Sequence, residues 1–133
     1  MNVLFLLRIK GDVKYVYDDS TLRQGLEKMR KHGYTAIPVI SRTGDYVGTI
    51  SEGDFLWHIL RHGGSLKEQE HFMISDILRK DYMAAVRVDA TVEELVERAT
   101  NQNFVPVVDD RNKFIGIVTR RDIIRYFIEK TAK

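Results

Sequence analysis

The chain has 133 residues, 44% hydrophobic and 30% charged, with 21 basic and 19 acidic side chains and a net charge of +2. That makeup suits one compact globular domain, and the near balance of charge argues against a general nucleic-acid-binding surface. The absence of cysteine excludes disulfides, thiolate nucleophiles and cysteine-based zinc sites. The first apolar run, Val3 to Leu7, is only five residues long and has no basic residue before it. It is too short for a signal peptide or a membrane span, so the chain reads as cytoplasmic with no membrane partner.

A short alternating stretch, Val13-Lys14-Tyr15-Val16-Tyr17, predicts a strand. Asp19-Ser20-Thr21 then offers helix-capping side chains, and Leu22, Leu26, Met29 and Arg30 mark one helical face that Gly33 ends. Two apolar strands follow, about Ala36–Ile40 and Tyr46–Ile50, turning at Thr43-Gly44-Asp45. Asp54 opens a second helix through Phe55–Leu60, which Gly63-Gly64 stops. Ser65-Leu66-Lys67-Glu68 has capping-box character, so residues 65–80 read as a connecting helical stretch. The same order then recurs. Ala85–Val88 predicts a strand, and Asp89-Ala90-Thr91 a cap. Val92, Leu95, Val96 and Ala99 mark a helical face ended by Asn101 or Asn103. Strands Phe104–Val108 and Phe114–Val118 turn at Asp109-Asp110-Arg111-Asn112, and a helix opens at Asp122.

The recurrence is literal. Ile37-Pro38-Val39-Ile40 and Gly48-Thr49-Ile50-Ser51-Glu52-Gly53-Asp54 return as Val105-Pro106-Val107-Val108 and Gly116-Ile117-Val118-Thr119-Arg120-Arg121-Asp122. From 38 to 106, 48 to 116, 51 to 119 and 54 to 122 the separation is always 68. Upstream, Thr21 matches Thr91 at a separation of 70, so the first copy carries two extra residues. A unit this short does not easily bury a core alone, so the two copies are expected to pack on each other.

This β-α-β-β-α repeat carrying Pro-Val, Gly and Ser/Thr-x-x-Asp resembles the CBS domain, named after cystathionine β-synthase, over roughly residues 12–62 and 76–130. The resemblance implies an α/β (α+β) fold: two tandem CBS repeats packed with pseudo-twofold symmetry, a stand-alone Bateman module. The expected bounds are 1–62 for the first repeat with its N-terminal segment, 63–75 for the connection and 76–133 for the second repeat. The first ten or so residues are expected to be a helix packed on the module.

A carboxylate near a helix N-terminus can accept two hydrogen bonds, as the vicinal hydroxyls of a ribose provide. A neighbouring hydroxyl and free helix N–H groups suit a phosphate. By resemblance, Thr119 and Asp122 face Tyr34, Thr35, Ala36, Ile37 and Pro38 of the other copy, with Val13 and Lys14. Ser51 and Asp54 face Phe104, Val105 and Pro106, with Ala84. Arg120 and Arg121 suit phosphate beside Asp122, whereas Glu52 and Gly53 hold the same places beside Asp54. The Asp122 cleft is therefore the expected main site.

The implied function is a regulatory sensor of an adenine nucleotide, AMP, ADP or ATP. One alternative is a cyclic di-AMP-binding protein, since Tyr34–Pro38 and Thr119-Arg120-Arg121 resemble small bacterial CBS-pair proteins of that kind. Another is an interaction module with no ligand. No nucleophile–base set, P-loop or Gly-x-Gly-x-x-Gly appears, so no enzyme and no cofactor are expected. His58 and His62 stand at metal-ligand spacing without a third ligand and read as structural. Trp57, Ile59, Leu60, Ile124, Phe127 and Ile128 form broad apolar faces that predict a homodimer; an effector protein is a further expected partner.

Overall fold

The computed structural model describes residues 2–79 and 82–131, so the expected bounds at 1, 80 and 133 fall outside the described residues. The chain divides into two compact units, residues 14–82 and residues 1–13 with 83–133. Among the described residues, no helix is long and apolar enough to cross a membrane.

In the 14–82 unit, β2 (Val16–Tyr17) leads into α1 (Leu22–His32), β3 (Ala36–Ile40), β4 (Tyr46–Ser51) and α2 (Glu52–His62). Thr21 and Gln24 form a reciprocal capping box that starts α1, and Gly33 at φ 69° ends it in the left-handed conformation. The sheet order is β2-β3-β4, with β2 parallel to β3 and β3 antiparallel to β4. Leu22, Met29, Ile37, Val39, Ile50 and Phe55 form its buried core. The Val13–Tyr17 stretch shortens to Val16–Tyr17, because Lys10–Asp12 is a 3-10 turn and only Val16 and Tyr17 find partners on β3.

The connecting stretch is two single-turn helices, α3 (Leu66–Gln69) and α4 (Ile74–Ile77), not one helix. Between them the backbone bonds elsewhere: Phe72 O accepts from Leu22 N–H at 2.9 Å, and Ile74 N–H donates to Ser20 O at 2.9 Å. Those bonds remove 72–74 from any continuous helical ladder.

The other unit holds β5 (Val86–Arg87), α5 (Val92–Ala99), β6 (Phe104–Val108), β7 (Phe114–Thr119) and α6 (Arg120–Thr131). Its core contains Val86, Leu95, Val105, Val107, Val118 and Ile123. Neither Asn101 nor Asn103 ends α5. Thr100 does so in right-handed geometry, its hydroxyl donating to Glu97 O at 2.6 Å. The described N-terminal residues form no α-helix, only two 3-10 turns, Val3–Phe5 and Lys10–Asp12. Arg8–Ile9 form β1, antiparallel to β7, giving the order β1-β7-β6-β5. The segment grouped with the first repeat on sequence thus hydrogen-bonds to the sheet of the second.

The repeated glycines explain how. A Cβ on Gly116 would lie 2.0 Å from Arg8 O, and one on Gly48 would lie 3.2 Å from Leu78 Cδ2. Each glycine admits a segment that runs ahead of the opposite repeat. Gly116→Ala should therefore push β1 off β7 and cost about 1–3 kcal/mol. A melting temperature equal to that of the parent protein would show that β1 adds nothing.

Candidate functional site

The Ser/Thr-x-x-Asp motif is first a capping device. Ser51 ends β4 and caps α2, placing Asp54 at the third helical position and not at the first. Asp54 Oδ2 accepts from Ser51 N–H at 2.8 Å and from its hydroxyl at 3.0 Å, while Asp54 N–H donates back to Ser51 Oγ at 3.4 Å. Asp122 occupies the equivalent place in α6, its N–H donating to Thr119 Oγ1 at 3.1 Å. In each repeat the motif lies against that repeat's own strand. Ala36 pairs with Ser51 and Phe104 with Thr119; Thr35 O accepts from Glu52 N–H at 3.0 Å and Asn103 O from Arg120 N–H at 2.8 Å.

Two arginines missed in the sequence complete the arrangement. Arg8 grips Asp122 bidentately, Nε to Oδ2 at 2.9 Å and an Nη to Oδ1 at 3.3 Å; Arg79 Nε meets Asp54 Oδ1 at 2.7 Å. Leu6-Leu7-Arg8 and Ile77-Leu78-Arg79 are a further repeat, offset by 71 (from 8 to 79). The missed signal was this short match, hidden by the change of offset.

The two carboxylates differ in access. Asp54's side chain is 5% exposed and Asp122's is 20% exposed. The hydrogen bond from Arg8 holds the Asp122 carboxyl below the usual carboxylate range, against an opposing effect of burial; the contact with Thr119 adds to the lowering. A cleft of about 440 Å³, lined by Leu6, Leu7, Arg8, Asp122, Arg125 and Tyr126 among others, opens beside it.

Of the other predicted residues, Lys14, Tyr34 and Thr35 are exposed in the 14–82 unit, and Ala36, Ile37 and Pro38 lie in β3. Val13, Phe104, Val105 and Pro106 are buried in the other unit, with Ala84 half-buried ahead of β5. Arg120 and Arg121 do not act alike. Arg120 Nε donates to Ala99 O at 2.7 Å, tying it to the end of α5, whereas Arg121 is exposed. Among the described residues, no group of three or more His, Asp or Glu is placed to hold a metal ion.

Two β-α-β-β-α units, each with an aspartate clasped by an arginine from ahead of the other repeat, define a tandem-repeat α/β module. The CBS-domain family model matches residues 8–61 and 74–129, so the chain belongs to the CBS-domain family. An uncharacterized protein of Methanocaldococcus jannaschii, MJ1426, is 28% identical over 85% of this chain and 84% of its own length. The coverage falls to 49% and 21% of longer relatives. Among solved structures, the Listeria monocytogenes CbpB protein in complex with cyclic di-AMP is 25% identical, with a TM-score of 0.86 over 97% of this chain and 96% of that one. CBSX2, known from Arabidopsis thaliana, in complex with AMP, shares the fold at 23% identity, with a TM-score of 0.76 and 98% of both chains covered.

Proposed function

We propose that this chain is a cytoplasmic regulatory protein that binds an adenine nucleotide (AMP, ADP or ATP) and acts by binding, not catalysis. Asp122 takes the ribose, Arg121 and Arg120 the phosphate, and Val13, Lys14 and Tyr34–Pro38 the base. The observation that carries the choice of cleft is the access of the two aspartates. Asp122 is 20% exposed and held by Arg8, with Thr119 beside it. Asp54 is almost enclosed, and its carboxylate accepts from both Ser51 and Arg79. Ser51 and Asp54, with Ala84 and Phe104–Pro106, form the lesser site. The exposed Arg121 and the bound ligand of the Listeria relative favour cyclic di-AMP as the second reading.

Thermal melts with AMP, ATP and cyclic di-AMP test this. A ligand at 100 times its Kd should add about 2.7 kcal/mol of stability. No shift with any of the three would refute the nucleotide reading and leave an interaction module without ligand.

A homodimer fits the same reading. Leu56, Trp57 and Leu60 on α2 are 58%, 64% and 69% exposed, and Ile124, Phe127 and Ile128 on α6 also face solvent; Ile59 is partly buried. Covering these residues with a second copy removes large apolar side chains from water. Light scattering should give twice the 15.5 kDa chain mass at micromolar concentration, and the single-chain mass would refute the dimer.

A further inference from the structure

The helices α1 and α5 hold the same place in the two repeats but carry opposite charge. α1 has Arg23, Lys28, Arg30 and Lys31 against one acid, Glu27; α5 has Glu93, Glu94 and Glu97 against one base, Arg98. Two of the cations, Arg30 and Lys31, lie in the last turn of α1, and two of the acids, Glu93 and Glu94, in the first turn of α5. These four side chains are exposed, and none forms an ion pair among the described residues. Arg23, by contrast, is already held by Glu27 and Glu70.

Each set of charges borders an open apolar surface. In the first repeat Leu26, Met29, Arg30, Phe55, Leu56 and Ile59 are among the residues lining a groove of about 420 Å³ beside α1 and α2. In the second repeat Val96 stands where Leu26 does, at the 70-residue offset, and Ile124 and Phe127 stand where Leu56 and Ile59 do, at the 68-residue offset; all three face solvent. Arg30 follows Leu26 by four residues and Glu93 precedes Val96 by three, so each charge shares a helix face with its apolar neighbour.

We propose that two copies of this chain pair unlike repeats, α1 of one copy lying antiparallel to α5 of the other, with Leu26 against Val96 and Arg30 beside Glu93. The pairing rests on the homodimer reading and adds which repeats meet. Antiparallel packing sets the last turn of α1 against the first turn of the second copy's α5, so the free cations meet the free acids. Like repeats packed the same way would set Arg30 near Arg23 of the second copy and gather the α5 acids of both copies into one interface. Opposed like charges disfavour that arrangement.

Analytical ultracentrifugation of the ligand-free protein over a dilution series reads the pairing without reference to any nucleotide. In a twofold dimer each pair occurs twice, so Arg30→Glu and Glu93→Arg should each weaken dimerisation at least about tenfold. Both side chains are exposed, so the fold should stand. The chain carrying both changes, and an equal mixture of the two single variants, should dimerise like the parent protein, because each restores opposite charges at every pair. A second readout uses the absence of cysteine. Arg30→Cys and Glu93→Cys chains, mixed and treated with a short bis-maleimide, should link mainly to each other. Unchanged or tighter dimerisation of Arg30→Glu would overturn the pairing and leave the homodimer in place. So would a doubly changed chain no better than the single variants, or cysteine variants that link only to themselves or give no mixed product. A monomeric parent protein would overturn the homodimer and the pairing together.

Discussion

Asp122→Ala should weaken adenine-nucleotide binding by more than about tenfold in titration calorimetry while barely moving the melting temperature. Hydrogen bonds to a charged group contribute about 1.5–3 kcal/mol, and 1.4 kcal/mol is tenfold in affinity. The stability side is small because the pair that Asp122 forms with Arg8 is open to water, with side chains 20% and 50% exposed. Such pairs are worth about 0–1 kcal/mol. Asp54→Ala should behave in the opposite way. That carboxylate is 5% exposed, and its loss leaves Ser51 N–H and Arg79 without their acceptor, a cost of about 1–3 kcal/mol in stability. Acid should mimic the first variant. Because Arg8 lowers the Asp122 pKa, the charged form persists throughout the ordinary carboxylate range and its contribution disappears only as pH falls through the lowered value. Nucleotide affinity that stayed level in the folded Asp122→Ala protein would remove this carboxylate from the site.

The order of elements within each repeat and its antiparallel hairpin were legible because the sequence repeats itself. A capping residue, a 3.6-residue face and a Pro-containing strand point to the same fold in both copies, and each agreement supports the other. What was not legible arose from contacts between distant segments. Arg8 and Arg79 look like ordinary surface cations in sequence, since nothing local marks a partner 114 residues away in the case of Arg8. The N-terminal strand was hidden for the same reason. Val3 to Leu7 has enough apolar residues for a helix, and the missing Cβ of Gly116 shows why Arg8 and Ile9 can lie against β7. Within the motif, the structure adds the capping geometry: Ser51 is the cap, Asp54 sits one turn into the helix, and the side chains proposed to meet a ligand already stabilise the helix start. That double duty is why the motif alone does not decide between capping and binding, and why the proposed choice of cleft rests on access to the carboxylate.

The arginines beside Asp122 should divide ligands by their phosphate. Replacing Arg120 and Arg121 together with Ala should cost about ten- to a hundredfold in affinity for ATP or cyclic di-AMP, since each charge-assisted hydrogen bond contributes about 1.5–3 kcal/mol. Adenosine offers no phosphate, so its affinity should change by less than about threefold. The single variants separate two roles. Arg121 is exposed, so Arg121→Ala should lower affinity for phosphorylated ligands without moving the melting temperature. Arg120 Nε donates to Ala99 O, so Arg120→Ala should also lower stability by leaving a carbonyl at the end of α5 without its donor. Binding should weaken as salt rises, because exposed charges are screened within about 10 Å at 0.1 M ionic strength. Glu52→Gln, in the corresponding place of the first repeat, should leave this cleft unaffected. Equal losses for adenosine and ATP in the double variant would show that the arginines hold the fold and not the phosphate. A ligand-bound structure with phosphates only beside Glu52 would move the main site to the Asp54 side.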